Sequence, residues 1–468
     1  MKRNATLLSL MALLFLGGCS LSPTLDVPSV ALPASSATAL HVEDKWWEKL
    51  GDASLNTLVQ EALNNNDDIK LSALRILKAK QAYGLSDSNR YPSLNATAGS
   101  TRQKTSDEGY TTKNKSATYD DRTMALNLSY EIDFWGKLSE QAESNWSLYL
   151  ASQSAAQTVR NTLIHDVIVA YLNVVSLNER LQLLDESIEA YKLSYAFRLK
   201  QQKVGTINEL LASSAQAQYL NATNAKAALL EAKALQESAL SILLGKNPQA
   251  LFDTKASATQ KLPLALVIPP GIPSTILESR PDIQEALLNL KSKNALIGVE
   301  KSAYFPSISL TGSLGQQSEN LDNILKSSAN RWSFGPSLSV PIFDFERIKT
   351  RVAITETDLK SSLISYEQTV KKAYKEVYDA LAKNRILSEK VHTQEDEVLA
   401  YERILNISTK RFDAGVANHL EVLDAQKGLL NASINLVTTK QAYLVAQAEL
   451  FKALGSGWNE KQLLGAAQ

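Results

Sequence analysis

The chain holds one cysteine, Cys19, at the end of Leu16-Gly17-Gly18-Cys19. A lone thiol cannot close an internal disulfide, so its chemistry lies elsewhere. Lys2 and Arg3 precede an apolar run from Leu7 to Leu16. At roughly ten residues that run is too short to cross a bilayer about 30 Å thick, and it reads as an export signal cleaved after residue 18. The four residues form a lipobox pattern, which predicts thioether lipidation of Cys19. No other reactive constellation stands out. His41, His165, His392 and His419 are dispersed without metal-ligand spacing, and no phosphate-cradling Gly-rich loop precedes a helix. Lys plus Arg and Asp plus Glu both number 49, a balance that offers no basic footprint for nucleic acid. The sequence therefore predicts no enzyme activity, no metal site, no cofactor and no nucleic-acid partner.

The elements that carry these residues come as a duplication. Tyr91-Pro92-Ser93-Leu94 recurs as Phe305-Pro306-Ser307-Ile308, and Asp68-Ile69 as Asp282-Ile283, both 214 positions on. Farther along, Val204-Gly205 pairs with Ala414-Gly415, Asn221-Ala222 with Asn431-Ala432 and Leu244-Gly245 with Leu454-Gly455, now 210 positions apart. The change of offset falls in a hydrophilic loop, where insertions are tolerated. Pro248, Pro263, Pro269, Pro270 and Pro273 interrupt helix between the copies. The chain thus divides into a signal (1–18), a lipid-anchored extended segment (19–50), repeat one (51–247), a Pro-rich connector (248–273), repeat two (274–458) and a C-terminal tail (459–468).

Leu138 to Val204 contains neither Gly nor Pro, and neither does Arg347 to Ala414. A run of about 67 residues makes a helix about 100 Å long. In the first run Leu163, Val167, Ala170, Val174, Leu177, Leu181, Leu184, Ile188, Tyr191 and Tyr195 recur in steps of four and three. That 3.5-residue period predicts a left-handed coiled coil. The second copy keeps the register, with Asn384 and Gln394 as polar interruptions. Long helices are predicted over about 137–203 and 347–413, returning helices over about 207–244 and 417–454, and a helix from about Ala53 to Ser88 ahead of the strands.

Each repeat also inserts two segments of period-two alternation. Strands are predicted over about 93–102 and 123–133, and over about 307–315 and 332–342. Met124, Leu126, Leu128, Tyr130 and Ile132 alternate with Ala125, Asn127, Ser129, Glu131 and Asp133. Such strands fit either a half-buried soluble sheet or a transmembrane barrel with lipid outside and water inside. The lipobox and the charged connecting segments, Arg102 to Asp121 and Gln316 to Arg331, favour the barrel. Four strands cannot seal their edges in hydrocarbon, whereas three chains supply about twelve and close.

Several stretches then resemble the TolC-like outer-membrane factors, specifically the lipidated efflux branch. They are Trp46-Trp47, Tyr91-Pro92-Ser93-Leu94, Ser129-Tyr130-Glu131-Ile132-Asp133-Phe134-Trp135-Gly136-Lys137, Ser279-Arg280-Pro281-Asp282-Ile283, Phe305-Pro306-Ser307-Ile308-Ser309-Leu310-Thr311-Gly312, Pro341-Ile342-Phe343-Asp344 and Arg411-Phe412-Asp413-Ala414-Gly415. The resemblance implies a mostly α chain with a transmembrane β part: a homotrimer with a twelve-stranded barrel continued by a tunnel of antiparallel coiled coils. Implied partners are a periplasmic adaptor, an inner-membrane pump of the RND type and outer-membrane lipid. By likeness to lipoprotein sorting rules, Ser20 after Cys19 favours the outer membrane.

The family's periplasmic entrance is an iris of helix tips with inward carboxylates. The matching positions are Glu421 and Asp424, while the first copy has Leu211 and Ser214. Family members often place an Arg after the tip glycine; here Ala417 and Asn418 follow, and Arg411 is the candidate substitute. The tips Val204-Gly205-Thr206 and Ala414-Gly415-Val416 resemble the family's adaptor-docking grooves. The function implied is the exit duct of an efflux pump for drugs or other small molecules. A duct for type I protein secretion and a non-conducting lipoprotein scaffold are the alternatives.

Overall fold

The computed structural model describes residues 20–26, 45–106, 108, 118–248, 261–266 and 280–455. Cys19, the export signal, the C-terminal tail and most of the connector lie outside these residues. Chain order runs through α1 (Ala53–Asn65), α2 (Asp67–Ser88), β1 (Ser93–Lys104), β2 (Thr118–Ile132), α3 (Lys137–Lys203) and α4 (Glu209–Leu243). It continues with α5 (Pro281–Ser302), β3 (Ser307–Ser318), β4 (Asn330–Ser339), α6 (Arg347–Asp413) and α7 (His419–Ala453). The helices α3 and α6 are each 67 residues long, and α4 and α7 each 35. No helix among the described residues is long and apolar enough to cross a membrane.

The chain packs as two compact units. One gathers the sheet with the helix segments that flank it, from 75–152 and 285–366, together with the N-terminal 20–26. Its strands pair antiparallel in the order β1-β2-β3-β4. Register aligns Leu94 with Leu128, Gly312 and Phe334, and the next row aligns Ala96 with Leu126, Leu314 and Trp332. The opposite face carries Asn95, Asn127, Ser313 and Ser333 in one row. Asp133 starts α3 by accepting the backbone N–H groups of Leu138 and Ser139 at 2.8 and 2.7 Å. Asp344 does the same for Ile348 at the head of α6, at 2.9 Å.

The other unit is built from 45–74, 153–248, 261–266, 280–284 and 367–455. The heptad positions Leu163, Val167, Ala170, Val174, Leu177, Leu181, Leu184 and Tyr191 are all buried, as are Ala373, Val377, Ala380 and Val391. Around them Trp46 stacks on Phe451 at 4.3 Å, and Asp52 caps α1 while accepting from the Tyr171 hydroxyl at 2.6 Å. Buried Arg280 donates to Asp282, Glu376 and the Ala453 carbonyl. Burial opposes its charge, but the two carboxylates outweigh that and raise its affinity for the proton. The connector residue Leu266 is clamped in both directions by the side-chain amide of Gln447, at 2.9 and 2.7 Å.

Several boundaries differ from the sequence reading. The helix expected from Ala53 to Ser88 breaks at Asn66, whose backbone is extended (ψ 137). The Asn66 side chain caps α2 through Asp68 and Ile69 and donates to the Leu243 carbonyl at 3.0 Å. The first two strands also run on into the charged segment, ending with Lys104 opposite Thr118, whereas β4 stops at Ser339, short of Pro341.

Candidate functional site

In the strand-bearing unit the alternation of sequence becomes two chemically distinct surfaces. Leu94, Leu126, Leu314, Trp332, Phe334 and Leu338 share one face, and all are exposed, Leu314 at 64% and Trp332 at 78%. On this face the Phe334 ring lies 3.5 Å from where a Gly312 Cβ would stand; on the opposite face, where Gly315 is paired with Ala125 and Arg331, a Cβ on Gly315 would overlap the Met124 carbonyl at 2.1 Å. Below the ribbon Trp135 stacks on Phe305 at 4.5 Å and donates through Nε1 to the Pro306 carbonyl at 2.9 Å. Among the described residues the outer strands β1 and β4 each have a partner on one side only. An apolar ribbon with two open backbone edges is incomplete in water and in lipid alike.

In the other unit the two helical hairpins turn by one device. Gly205 and Gly415 adopt left-handed φ of 78 and 75. Their N–H groups reach the carbonyls of Gln202 and Phe412, while Thr206 and Val416 reach Gln201 and Arg411. This is the double bond of a Schellman cap. Asn208 and Asn418 then start the returning helices by accepting from Leu211, and from Leu420 and Glu421. Val204 and Val416 stand 74% and 67% exposed at the tips, and nothing lies within 4 Å of a Cβ placed on Gly205 or Gly415. The Thr206 hydroxyl is spent on the Gln201 carbonyl at 2.9 Å, so it closes the helix end.

Just behind the second tip, Arg411 Nη1 lies 3.6 Å from Glu421 Oε2 across the turn. Asp424, one turn on, is exposed and has no ion-pair partner among the described residues. Its neighbour Leu423 packs with Leu184, Tyr191 and Ala222, so the carboxylate-bearing helix is seated on the first hairpin. The first-copy counterparts Leu211 and Ser214 carry no charge, and the Ser214 hydroxyl turns back to the Leu210 carbonyl at 2.8 Å.

Sequence reasoning passed over His419 as one dispersed histidine. It is the first residue of α7, with Phe412 edge-on at 5.1 Å and a buried Nδ1 that has no hydrogen-bond partner among the described residues. Burial depresses its proton affinity, and the charge of Arg198 lowers it further. The only advance signal was its position directly after the Asn418 cap. No group of His, Cys, Asp and Glu that could hold a metal occurs among the described residues.

A membrane-facing ribbon that needs sister copies, joined in one chain to duplicated helical hairpins, defines a class: the subunit of an oligomeric channel with a β part and a long α-helical part. The chain belongs to the outer membrane efflux protein family, whose model matches residues 58–246 and 272–456. It is 32% identical over 464 residues to the cation efflux system protein CusC of Escherichia coli (strain K12), covering 96% of this chain and 99% of that protein. It is also 31% identical over 477 residues to the solvent efflux pump outer membrane protein SrpC of Pseudomonas putida, covering 97% and 99%. The crystal structure of the Campylobacter jejuni CmeC outer membrane channel superposes with a TM-score of 0.90 at 29% identity, over 96% of this chain and 98% of that one. The protein is an outer-membrane channel component of an efflux system.

Proposed function

We propose that three copies close their ribbons edge to edge into a barrel of about twelve strands, and that this homotrimer is the exit duct of a tripartite pump for small molecules. The observation that carries the reading is the four-stranded ribbon, greasy on one face, polar on the other and open at both edges. Joining β4 of one copy to β1 of the next satisfies those edges and leaves the apolar rows toward lipid. In this reading Cys19 carries the lipid anchor, and Glu421 and Asp424 form the periplasmic gate ring with Arg411 moderating it. The tips Val204-Gly205-Thr206 and Ala414-Gly415-Val416 receive a periplasmic adaptor that couples to an RND-type inner-membrane pump. Bare, apolar tips support that docking role.

Cargo is chosen elsewhere. Relatives named for cations and for solvents resemble this chain almost equally, at 32% and 31%, so overall similarity favours neither cargo, which supports a duct whose substrate is selected at the pump. Export of drugs or other small molecules, rather than of secreted proteins, is tested by deleting the gene and measuring drug accumulation beside secreted-protein levels. The assembly itself is tested by the mass of the detergent-solubilised protein and by single-channel conductance in planar bilayers. A monomer without conductance would end the channel reading and leave only a lipid-anchored scaffold.

A further inference from the structure

The residues directly after Cys19 are held in a built groove. Glu140, in the first turn of α3, is only 8% exposed, and its Oε1 accepts from the hydroxyls of both Ser20 and Ser22, the latter at 3.0 Å. The Asn294 side chain on α5 donates to the Pro23 carbonyl at 2.8 Å. One helical turn on, Gly298 leaves the space the segment fills: a Cβ there would lie 3.0 Å from the Ser22 nitrogen and 3.1 Å from the Glu140 side chain. A carboxylate this well buried costs stability unless its oxygens are hydrogen-bonded, and here the partners come from a segment about 120 positions earlier in the chain.

We propose that Glu140, Asn294 and Gly298 form an intramolecular docking site for Ser20 to Asp26, so that the lipid on Cys19 is a fixed strut and not a loose tether. Consecutive Cα atoms are about 3.8 Å apart, so acyl chains on Cys19 depart within one peptide unit of docked Ser20. Glu140 follows β2 by only a few residues, which sets the anchor beside the strand-to-helix junction of its own chain. Glu140 is thus a positioning residue for the anchor. The inference rests on the reading that Cys19 is lipidated.

The test uses the full-length membrane-extracted protein. Lipidation consumes the thiol of Cys19, so L25C supplies the sole free thiol, on a half-buried docked residue. Maleimide labelling of L25C should be slow in the native protein and at least about tenfold faster when E140A or N294A is added. E140Q, which keeps an acceptor oxygen, should restore much of the protection, and E143A, on the exposed face of the same helix, should change nothing. Oligomer mass and thermal melting of each variant separate undocking from unfolding. Labelling of L25C as fast in the native protein as after denaturation, or unaltered by both E140A and N294A, would overturn the docking site. Mass spectrometry of the N-terminal peptide reports lipidation separately. An unmodified Cys19 with L25C still protected would refute the strut and the anchor reading while leaving the groove.

Discussion

Replacing Arg411 with alanine should make the pore more cation-selective without disturbing the fold. Arg411 and Glu421 lie 3.6 Å apart with side chains 54% and 43% exposed. An ion pair so open to water is worth about 0–1 kcal/mol, so losing it costs little stability. What changes is charge. One guanidinium and two carboxylates leave roughly −1 per chain, or roughly −3 around a threefold axis, within range of an ion crossing at a Debye length of about 8 Å. R411A takes the ring to roughly −6, E421A/D424A to roughly +3, and R411A/E421A back to roughly −3. Reversal potentials under a KCl gradient in planar bilayers read this order directly. R411A should move toward the cation limit, the R411A/E421A double variant should return to the parent value, and E421A/D424A should move the other way with raised conductance. In about 1 M salt, where screening shortens to about 3 Å, the differences should shrink. Identical reversal potentials in all variants, or a double variant that stays at the R411A value, would mean that these groups do not face the permeation path.

Three further perturbations probe the frame. G205A and G245A both force a side chain into left-handed backbone, at about 1–2 kcal/mol. Only Gly245 also faces a backbone carbonyl, that of Asn65 at 2.4 Å from the added Cβ, so G245A should cost about 3 kcal/mol or more by thermal melting; equal costs would refute the close approach. Because burial lowers the proton affinity of His419 below its ordinary 6.5, the unfolded hairpin binds the proton more tightly. Its contribution is therefore whole above about pH 6.5 and lost as pH falls below it. Protection factors in the first turns of α7, taken from hydrogen exchange after correction for the intrinsic pH dependence of the amides, should fall from pH 7.5 to 5.5, and H419Q should abolish the fall; an equal fall in H419Q would exclude His419 as its source. L314K, on the apolar face, should lower the amount of outer-membrane trimer, at up to about 2–4 kcal/mol for a cation facing lipid, while S313K on the wet face should be tolerated. Equal effects from the two would contradict the assignment of faces.

The large features could be read from sequence because they depend on local rules. A stretch without Gly or Pro has no reason to stop being helix, and α3 and α6 run the full length of such stretches. Period-two alternation set the two faces of the ribbon, and pairing then aligned them row by row. The break at Asn66 was missed because no Gly or Pro marks it. Its signal was an Asn followed by Asp67 and Asp68, a cap with acidic first-turn residues. The first two strands outrun the apolar alternation because charged residues such as Arg102 and Asp120 pair across strands once the apolar belt ends, and alternation carries no signal there. Least legible were contacts that exist only after a turn has been made. Arg411 meets Glu421 because Gly415 reverses the chain between them. Glu140 meets Ser20 only after packing brings the head of α3 to the N-terminal segment.

The two copies share backbone devices and differ in side-chain chemistry, and that division says where function is written. Glycines at the tips, asparagine caps after them and glycines closing the returning helices recur in both. At the positions of Glu421 and Asp424 the first copy has Leu211 and Ser214, and its one first-turn carboxylate, Glu209, falls where the second copy has His419. A threefold assembly then repeats every such difference around one axis. In the gate proposed above, a contact worth about 0.5 kcal/mol in one exposed pair would amount to about 1.5 kcal/mol around the ring if the three hairpins move together, which is about tenfold in the open-to-closed ratio. Under that proposal, weak, solvent-screened pairs that would be negligible in a monomer become strong enough to bias a concerted gate and stay weak enough for a docking partner to overcome.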